Sequence, residues 1–174
     1  YAPGPLAAAL KTSPALALRA YMDYQDMDLT ASGAAALFAY QGLVFSTMRP
    51  DDFSADEVDF SQNHLRILSG LYGLLRPLDG ILPHRLEMGC RLPEAGGSLY
   101  DYWADRLYQA LFAAGDTVVN LASAEYARAV TPYLAWNDRM ITCEFYTLSR
   151  GRYRVMATAA KMARGAMARY AISN

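Results

Sequence analysis

Seven residues offer the most direct chemistry in this chain: Arg66, Gly70, Gly73 and Arg76 in its middle, and Lys161, Arg164 and Arg169 near its end. Residues 64–92 read HLRILSGLYGLLRPLDGILPHRLEMGCRL. A helix that stops at a glycine turn and restarts presents unpaired backbone N–H groups to an anion. Arginines on either side would neutralise the neighbouring phosphates, contacts that hold a duplex in place without reading its sequence. A glycine helix cap followed by a tight turn accounts for Gly70 and Gly73 with no ligand at all. Their G-x-x-G spacing also departs from the G-x-G of the usual nucleic-acid helix-hairpin-helix.

The second group lies on a helix expected over about residues 159–172. At about 100° per residue, Lys161, Arg164 and Arg169 spread over one face of roughly 140°, with Gly165 and Ala168 between them. A basic face floored by small residues would let a phosphate backbone approach closely, and Ala163, Ala166, Met167 and Tyr170 opposite would then be the core side. The plain alternative is a solvated face of an amphipathic helix. Arg150, Arg152 and Arg154 just upstream favour binding.

Other constellations are weaker. Asn120 and Ser123 sit where a strand hands over to a helix and could receive an anion, or Ser123 is simply a helix cap. His84 and Glu87, three apart on a strand, point to opposite faces and make a poor metal pair. His64 stands alone, so no metal and no other cofactor is expected. Asp79 and Asp101 lack a recognisable catalytic setting. Tyr72, Tyr100, Tyr102 and Trp103 could stack on bases, but read better as core or rim aromatics. Cys90 and Cys143 lack a C-x-x-C spacing or an adjacent cation and read as small buried hydrophobes of a reduced, cytoplasmic protein.

The charge is lopsided. The net charge of −1 hides residues 145–174, which hold Arg150, Arg152, Arg154, Lys161, Arg164 and Arg169 and no acid. A concentrated positive field of this kind attracts phosphates. With 174 residues, 53% of them hydrophobic, one sizeable core is within reach, so residues 1–174 are expected to form one domain. No apolar run approaches the roughly 18 residues of a membrane span.

The elements that must position these groups can be traced along the chain. A helix is expected through about Tyr24, a second over about residues 32–40, and a strand at Leu43-Val44-Phe45. Ser54 and Glu57 form a capping box, with Phe53 and Val58 as its hydrophobic staple, on a helix expected to run to about Leu68. Residues 84–91 alternate like a strand. A helix capped by Ser98 should cover residues 99–113, a buried strand 117–121, and a short helix should start at Ser123. Residues 139–148 and 152–158 flank Ser149-Arg150-Gly151 and should form a β-hairpin. The sum is a mixed α+β domain with short strands, a β-hairpin and a helix-hairpin-helix-like segment.

Residues 68–89 resemble the central block of the YaaA family of bacterial peroxide-stress proteins, which reads roughly L-S-G-L-Y-G-x-L-R-P-L-D-x-x-x-P-Y-R-L-E-M-G. Further segments agree in order: AYQGLVF at 39–45, NLASAEY at 120–126 and AKMARG at 160–165, so the likeness covers about residues 37–172. His84 stands where the family usually has Tyr. Family members open with a strand ending in I-S-P-A-K and continue beyond the last helix. The resemblance therefore implies the middle portion of a longer protein.

It also implies a cytoplasmic bacterial protein that limits iron-driven oxidative damage. It would bind DNA without sequence preference through a helix-hairpin-helix and a basic groove, and would be non-catalytic. The other reading is an enzyme acting on a nucleobase or a small phosphorylated metabolite.

Overall fold

Ser54 opens the helix that the sequence marks most clearly. Its hydroxyl accepts from the Glu57 N–H at 3.2 Å and the Glu57 carboxylate accepts from the Ser54 N–H at 2.7 Å, closing the box at the head of α5 (Ala55–His64). The computed structural model describes residues 1–93 and 96–174, and the rest of the chain builds outward from this helix.

Upstream lie α1 (Pro3–Ala9) and α2 (Pro14–Gln25). The single helix expected through Tyr24 is cut in two because Lys11 adopts a left-handed conformation, φ 50°, and Ser13-Pro14 restarts the chain with a cap and a pre-set first turn. Next come β1 (Ala34–Ala35), α3 (Ala36–Ala39) and α4 (Leu43–Met48). The second expected helix thus shrinks to residues 36–39. The strand expected at Leu43-Val44-Phe45 is the first turn of α4, bracketed by Gly42 at φ 106° and Arg49 at φ 54°. Three apolar residues in a row carry no period to separate helix from strand.

After α5 the chain departs from expectation at the place that matters most. The helix ends at His64, and β2 (Ile67–Ser69) pairs antiparallel with β3 (Gly73–Leu75), Ile67 opposite Leu75 and Ser69 opposite Gly73. The helix-hairpin-helix-like segment is therefore a helix followed by a β-hairpin. Burial alternates along both strands, the two-residue period of a sheet. β4 (Gly80–Ile81) pairs back onto β1. Of the strand expected over residues 84–91 only Arg91 pairs, in β5 (Arg91–Leu92) against β6 (Gly97–Ser98).

Ser98 caps as expected, but Ala104 at φ 47° splits the following helix into α6 (Leu99–Trp103) and α7 (Arg106–Phe112). β7 (Val118–Asn120) runs parallel to β8 (Met140–Thr142). Asn120 is its buried residue while Val119 is exposed, so the strand is not the buried one anticipated. Between them α8 (Ala124–Ala127) starts after Ser123.

β9 (Thr147–Ser149) and β10 (Arg152–Arg154) form the expected hairpin, though residues 140–142 pair elsewhere. Arg150 and Gly151 both have positive φ, the two-residue turn whose twist suits paired strands. The chain closes with α9 (Ala157–Ser173). The mixed α+β class holds.

Three packed clusters support these elements. The largest gathers Leu6, Leu10, Met88, Cys90, Leu99, Leu107 and Val130, flanked by Leu68, Leu74 and Trp103. A second joins Ala36, Ile67, Leu75 and Ile81. The third is where α9 docks: Ala168 against Leu37 and Met48, with Leu65, Phe53 and Ile172 beside them.

Candidate nucleic-acid interface

The glycine turn is closed to ligands by its own neighbours. Gly70 and Gly73 are buried. A Cβ on Gly70 would stand 2.5 Å from the Leu86 carbonyl oxygen, and one on Gly73 would stand 2.7 Å from the Trp103 ring. The Gly70 carbonyl accepts from the Trp103 indole N–H at 3.0 Å. The N–H groups of Leu71 and Tyr72, which an anion would need, donate to the Ser69 hydroxyl at 3.3 and 3.2 Å. These glycines make room for an aromatic ring and a crossing strap.

The flanking arginines differ from each other. Arg66 is half-buried and its guanidinium donates to the carbonyls of Leu65 at 2.8 Å and Gln62 at 3.3 Å, satisfying the orphan oxygens that end α5. Arg76 is exposed. Its backbone N–H donates to the Asp79 carboxylate at 2.7 Å, holding the Arg76–Asp79 turn.

On α9 the packed face is the reverse of the expected one. Ala160, Gly165 and Ala168 are buried, whereas Ala166, Met167 and Tyr170 are exposed. The small residues between the basic groups form the seam onto α4: a Cβ on Gly165 would collide with the Val44 carbonyl oxygen. That floor is occupied by protein backbone. Arg169, half-buried, donates to the carbonyls of Met48 at 3.1 Å and Arg49 at 3.0 Å and lies over the Phe53 ring. Arg164 is half-buried beside the seam, and its Nε is buried without a hydrogen-bond partner. Lys161, one turn earlier, is exposed.

Asn120 spends its amide inside the fold. Its Nδ2 donates to the Thr142 hydroxyl at 3.2 Å and its Oδ1 accepts from the Ala122 N–H at 3.0 Å, tying β7 to β8. Ser123 sits at the cap position of α8 without capping through its side chain. Four helical residues make too short a dipole to hold an anion there.

The strongest free cationic surface therefore lies on the hairpin and the start of α9. Arg150, Arg152, Arg154 and Lys161 are all exposed, and among the described residues no ion pair engages them. Tyr153 stands exposed between two of the arginines.

Sequence reasoning undervalued the strap over residues 83–89, which concentrates polar groups. Arg85 Nη2 lies 3.7 Å from Glu87 Oε1, and the Tyr126 hydroxyl donates to Glu87 Oε2 at 3.2 Å. Burial and the Glu87 charge hold the Tyr126 phenol well above its usual range. Tyr24 donates to the Arg85 carbonyl at 2.8 Å, and the Gly89 N–H donates to Glu125 at 2.6 Å. Arg85 Nε is buried without a hydrogen-bond partner; the Tyr40 hydroxyl, whose titration burial raises, has the Ser69 side chain beside it. The His84 ring is edge-on to Tyr40 and Tyr72, with Nδ1 2.9 Å from the Leu82 carbonyl. The R-L-E run was visible in the sequence, but its partners come from distant residues. Among the described residues no cluster of His, Cys, Asp or Glu could hold a metal ion, and no helix is long and apolar enough to cross a membrane.

Fold and surface together define a mixed α+β protein whose cationic residues are split between packing and solvent. The chain belongs to the peroxide stress protein YaaA family, whose model matches residues 1–174. It is similar to a UPF0246 protein of Limosilactobacillus reuteri, 47% identical over 163 residues, covering 93% of this chain and 66% of the relative. A UPF0246 protein of Limosilactobacillus fermentum is 50% identical over 147 residues, 84% of this chain and 60% of the relative. One of Acaryochloris marina is 42% identical over 181 residues, 100% of this chain and 71% of the relative. The chain spans about two thirds of the length of the relatives it matches.

Proposed function

We infer that this chain acts in the peroxide stress response as a DNA-binding protein of the cytoplasm, holding duplex or distorted DNA without sequence preference and so limiting iron-driven damage to it. The observation that carries this reading is the run of unpaired cations Arg150, Arg152, Arg154 and Lys161 on one continuous stretch with no acidic residue. Such a surface attracts a polyanion through its positive field and binds it with release of the polyanion's condensed counterions. Arg164 lies one turn on from Lys161 on α9, and Arg76 is a further exposed cation; Arg66, Gly70, Gly73 and Arg169 serve the surface through the fold that they hold together. Salt-dependent binding to a duplex of arbitrary sequence tests this. Each phosphate neutralised contributes a log–log slope of about −0.9, so the chain should show a slope of several units, and a flat dependence overturns the reading.

One observation favours an enzyme acting on a nucleobase or a small phosphorylated metabolite. The strap brings together the Arg85–Glu87–Tyr126 group and one orphan donor, Arg85 Nε. A buried donor without a partner costs about 1–3 kcal/mol, and a catalytic or ligand-holding role is one reason a fold keeps one. Incubation with duplexes holding an abasic site or an oxidised base decides: strand cleavage or base release, lost in Glu87→Gln, supports the enzyme.

A further inference from the structure

Trp136 is 98% exposed, an extreme for the largest apolar ring in the chain, since Trp is ordinarily well buried. The turn that carries it is fixed. The Ala135 N–H donates to the Asp138 carboxylate at 2.6 Å and the Asp138 N–H donates to the Ala135 carbonyl at 3.1 Å. The Tyr108 hydroxyl of α7 also bonds the Asp138 carboxylate, which pushes that phenol upward. Immediately after the turn, the Arg139 carbonyl accepts from the Val118 N–H at 2.8 Å, the first rung of the β7–β8 pair. A hydrogen-bonded turn thus holds an indole in water, almost wholly uncovered by the described residues.

We propose that Trp136 is a stacking platform for an unpaired nucleobase. The proposal rests on the DNA-binding reading and names the form of nucleic acid which that surface selects. An aromatic anchor for a protein partner works inside a surrounding ring of contacts that excludes water. Ala135, Asn137 and Asp138 provide no such ring. A fully exposed indole offers a partner a flat π-face, and stacking on bases needs nothing more. Arg139, directly after the turn, is exposed and supplies a cation for a sugar–phosphate chain, and Arg150, Arg152 and Arg154, later in the sequence, are exposed as well. A base within a duplex is already stacked on both faces, so the platform serves single strands, bubbles and ends.

The chain has two tryptophans, and Trp103 is half-buried with its indole N–H bonded to the Gly70 carbonyl, so the two differ in environment and Trp136→Leu isolates the Trp136 emission. The test titrates the protein at low salt with a twelve-nucleotide single strand and with its duplex. Intrinsic fluorescence and gel shift are read for the wild type, Trp136→Leu and Trp136→Phe. Because the ring is almost wholly exposed, neither variant should disturb folding. The expected result is quenching by the single strand and a loss of single-strand affinity of about five- to hundredfold in Trp136→Leu. Trp136→Phe should retain most of that affinity, and duplex affinity should stay within about twofold. Single-strand binding without quenching, or an unchanged Trp136→Leu, overturns the stacking role and leaves the DNA reading standing. An equal loss on both probes overturns selectivity for unpaired bases. Binding to neither probe removes both proposals together.

Discussion

Gly165 lies against Val44 so closely that the backbone carbonyl of Val44 fills the space where any other residue would carry its Cβ. This contact turns α9 from a surface helix into a docked one, and it decides which of the basic residues remain free. Gly165→Ala should gain up to about 1 kcal/mol of helix propensity yet lose more from overpacking against backbone, typically about 1–3 kcal/mol. Net destabilisation in urea is expected. The exposed Ala166 supplies the control, since Ala166→Gly should cost only about 1 kcal/mol; equal effects at both positions would mean that α9 does not sit on α4.

The three basic positions of α9 should separate in their behaviour. Arg169 donates to two carbonyls at the end of α4, so Arg169→Ala should reduce stability by about 1.5–3 kcal/mol and leave the salt slope of DNA binding unchanged. Arg152→Ala with Arg154→Ala should do the opposite, flattening the slope by up to about two units at unaltered stability. Lys161→Ala with Arg164→Ala falls between, because one side chain is free and the other half-buried. Urea melts and filter-binding isotherms at a series of salt concentrations read both quantities.

Gly73→Ala meets two penalties at once. The residue would keep φ at +79° and its new methyl would press on Trp103. A loss of well over 1 kcal/mol is expected, and Trp103 fluorescence should respond because the ring must move. Trp103→Phe keeps the ring but leaves the Gly70 carbonyl without its donor, a cost of about 1–3 kcal/mol. If both substitutions were neutral, the turn would be open and phosphate contact there would regain its appeal.

Acid sensitivity should have one contribution from Glu57. The Ser173 hydroxyl and the Ser54 N–H hydrogen-bond its carboxylate and hold its pKa below the ordinary value. A folded-state pKa below the unfolded one stabilises above the unfolded value, and this contribution disappears as pH falls through the folded one. Stability measured from pH 6 downward should therefore drop in the acid range, less steeply in Glu57→Gln. A parallel drop in the two proteins would place the sensitivity elsewhere.

Cys90 should resist oxidation in the folded state. Burial pushes its thiol upward, away from the reactive thiolate. A thiol reagent should label it only upon unfolding, and fast labelling of the native chain would expose an unrecognised opening of the Met88–Cys90 region.

What the sequence made legible was local. The Ser54–Glu57 box, the Ser98 cap, the Arg150-Gly151 turn and α9 all declare themselves through neighbours within four residues. The unreadable features depend on partners far along the chain. Leu43-Val44-Phe45 looks like a strand until α9 covers it, and residues 65–69 look like a helical continuation until Gly73 turns the chain back. The orientation of α9 misled for a physical reason. Large apolar residues usually mark the buried side, but here the helix meets bare backbone, and only Gly and Ala admit so short an approach. The free arginines were visible in composition. Which arginines were already engaged was not, because Arg66 and Arg169 answer to carbonyls that no spacing rule connects to them.

The reach of Arg169 back to Met48 and of Ser173 to Glu57 spans well over a hundred residues of chain. While the protein is being synthesised, Leu37 and Met48 must wait for a helix made more than a hundred residues later, on the order of ten seconds at ordinary elongation rates. Throughout that interval an apolar surface stands uncovered on every nascent copy. A cell making this protein quickly would depend on chaperones that shield such chains until α9 has emerged.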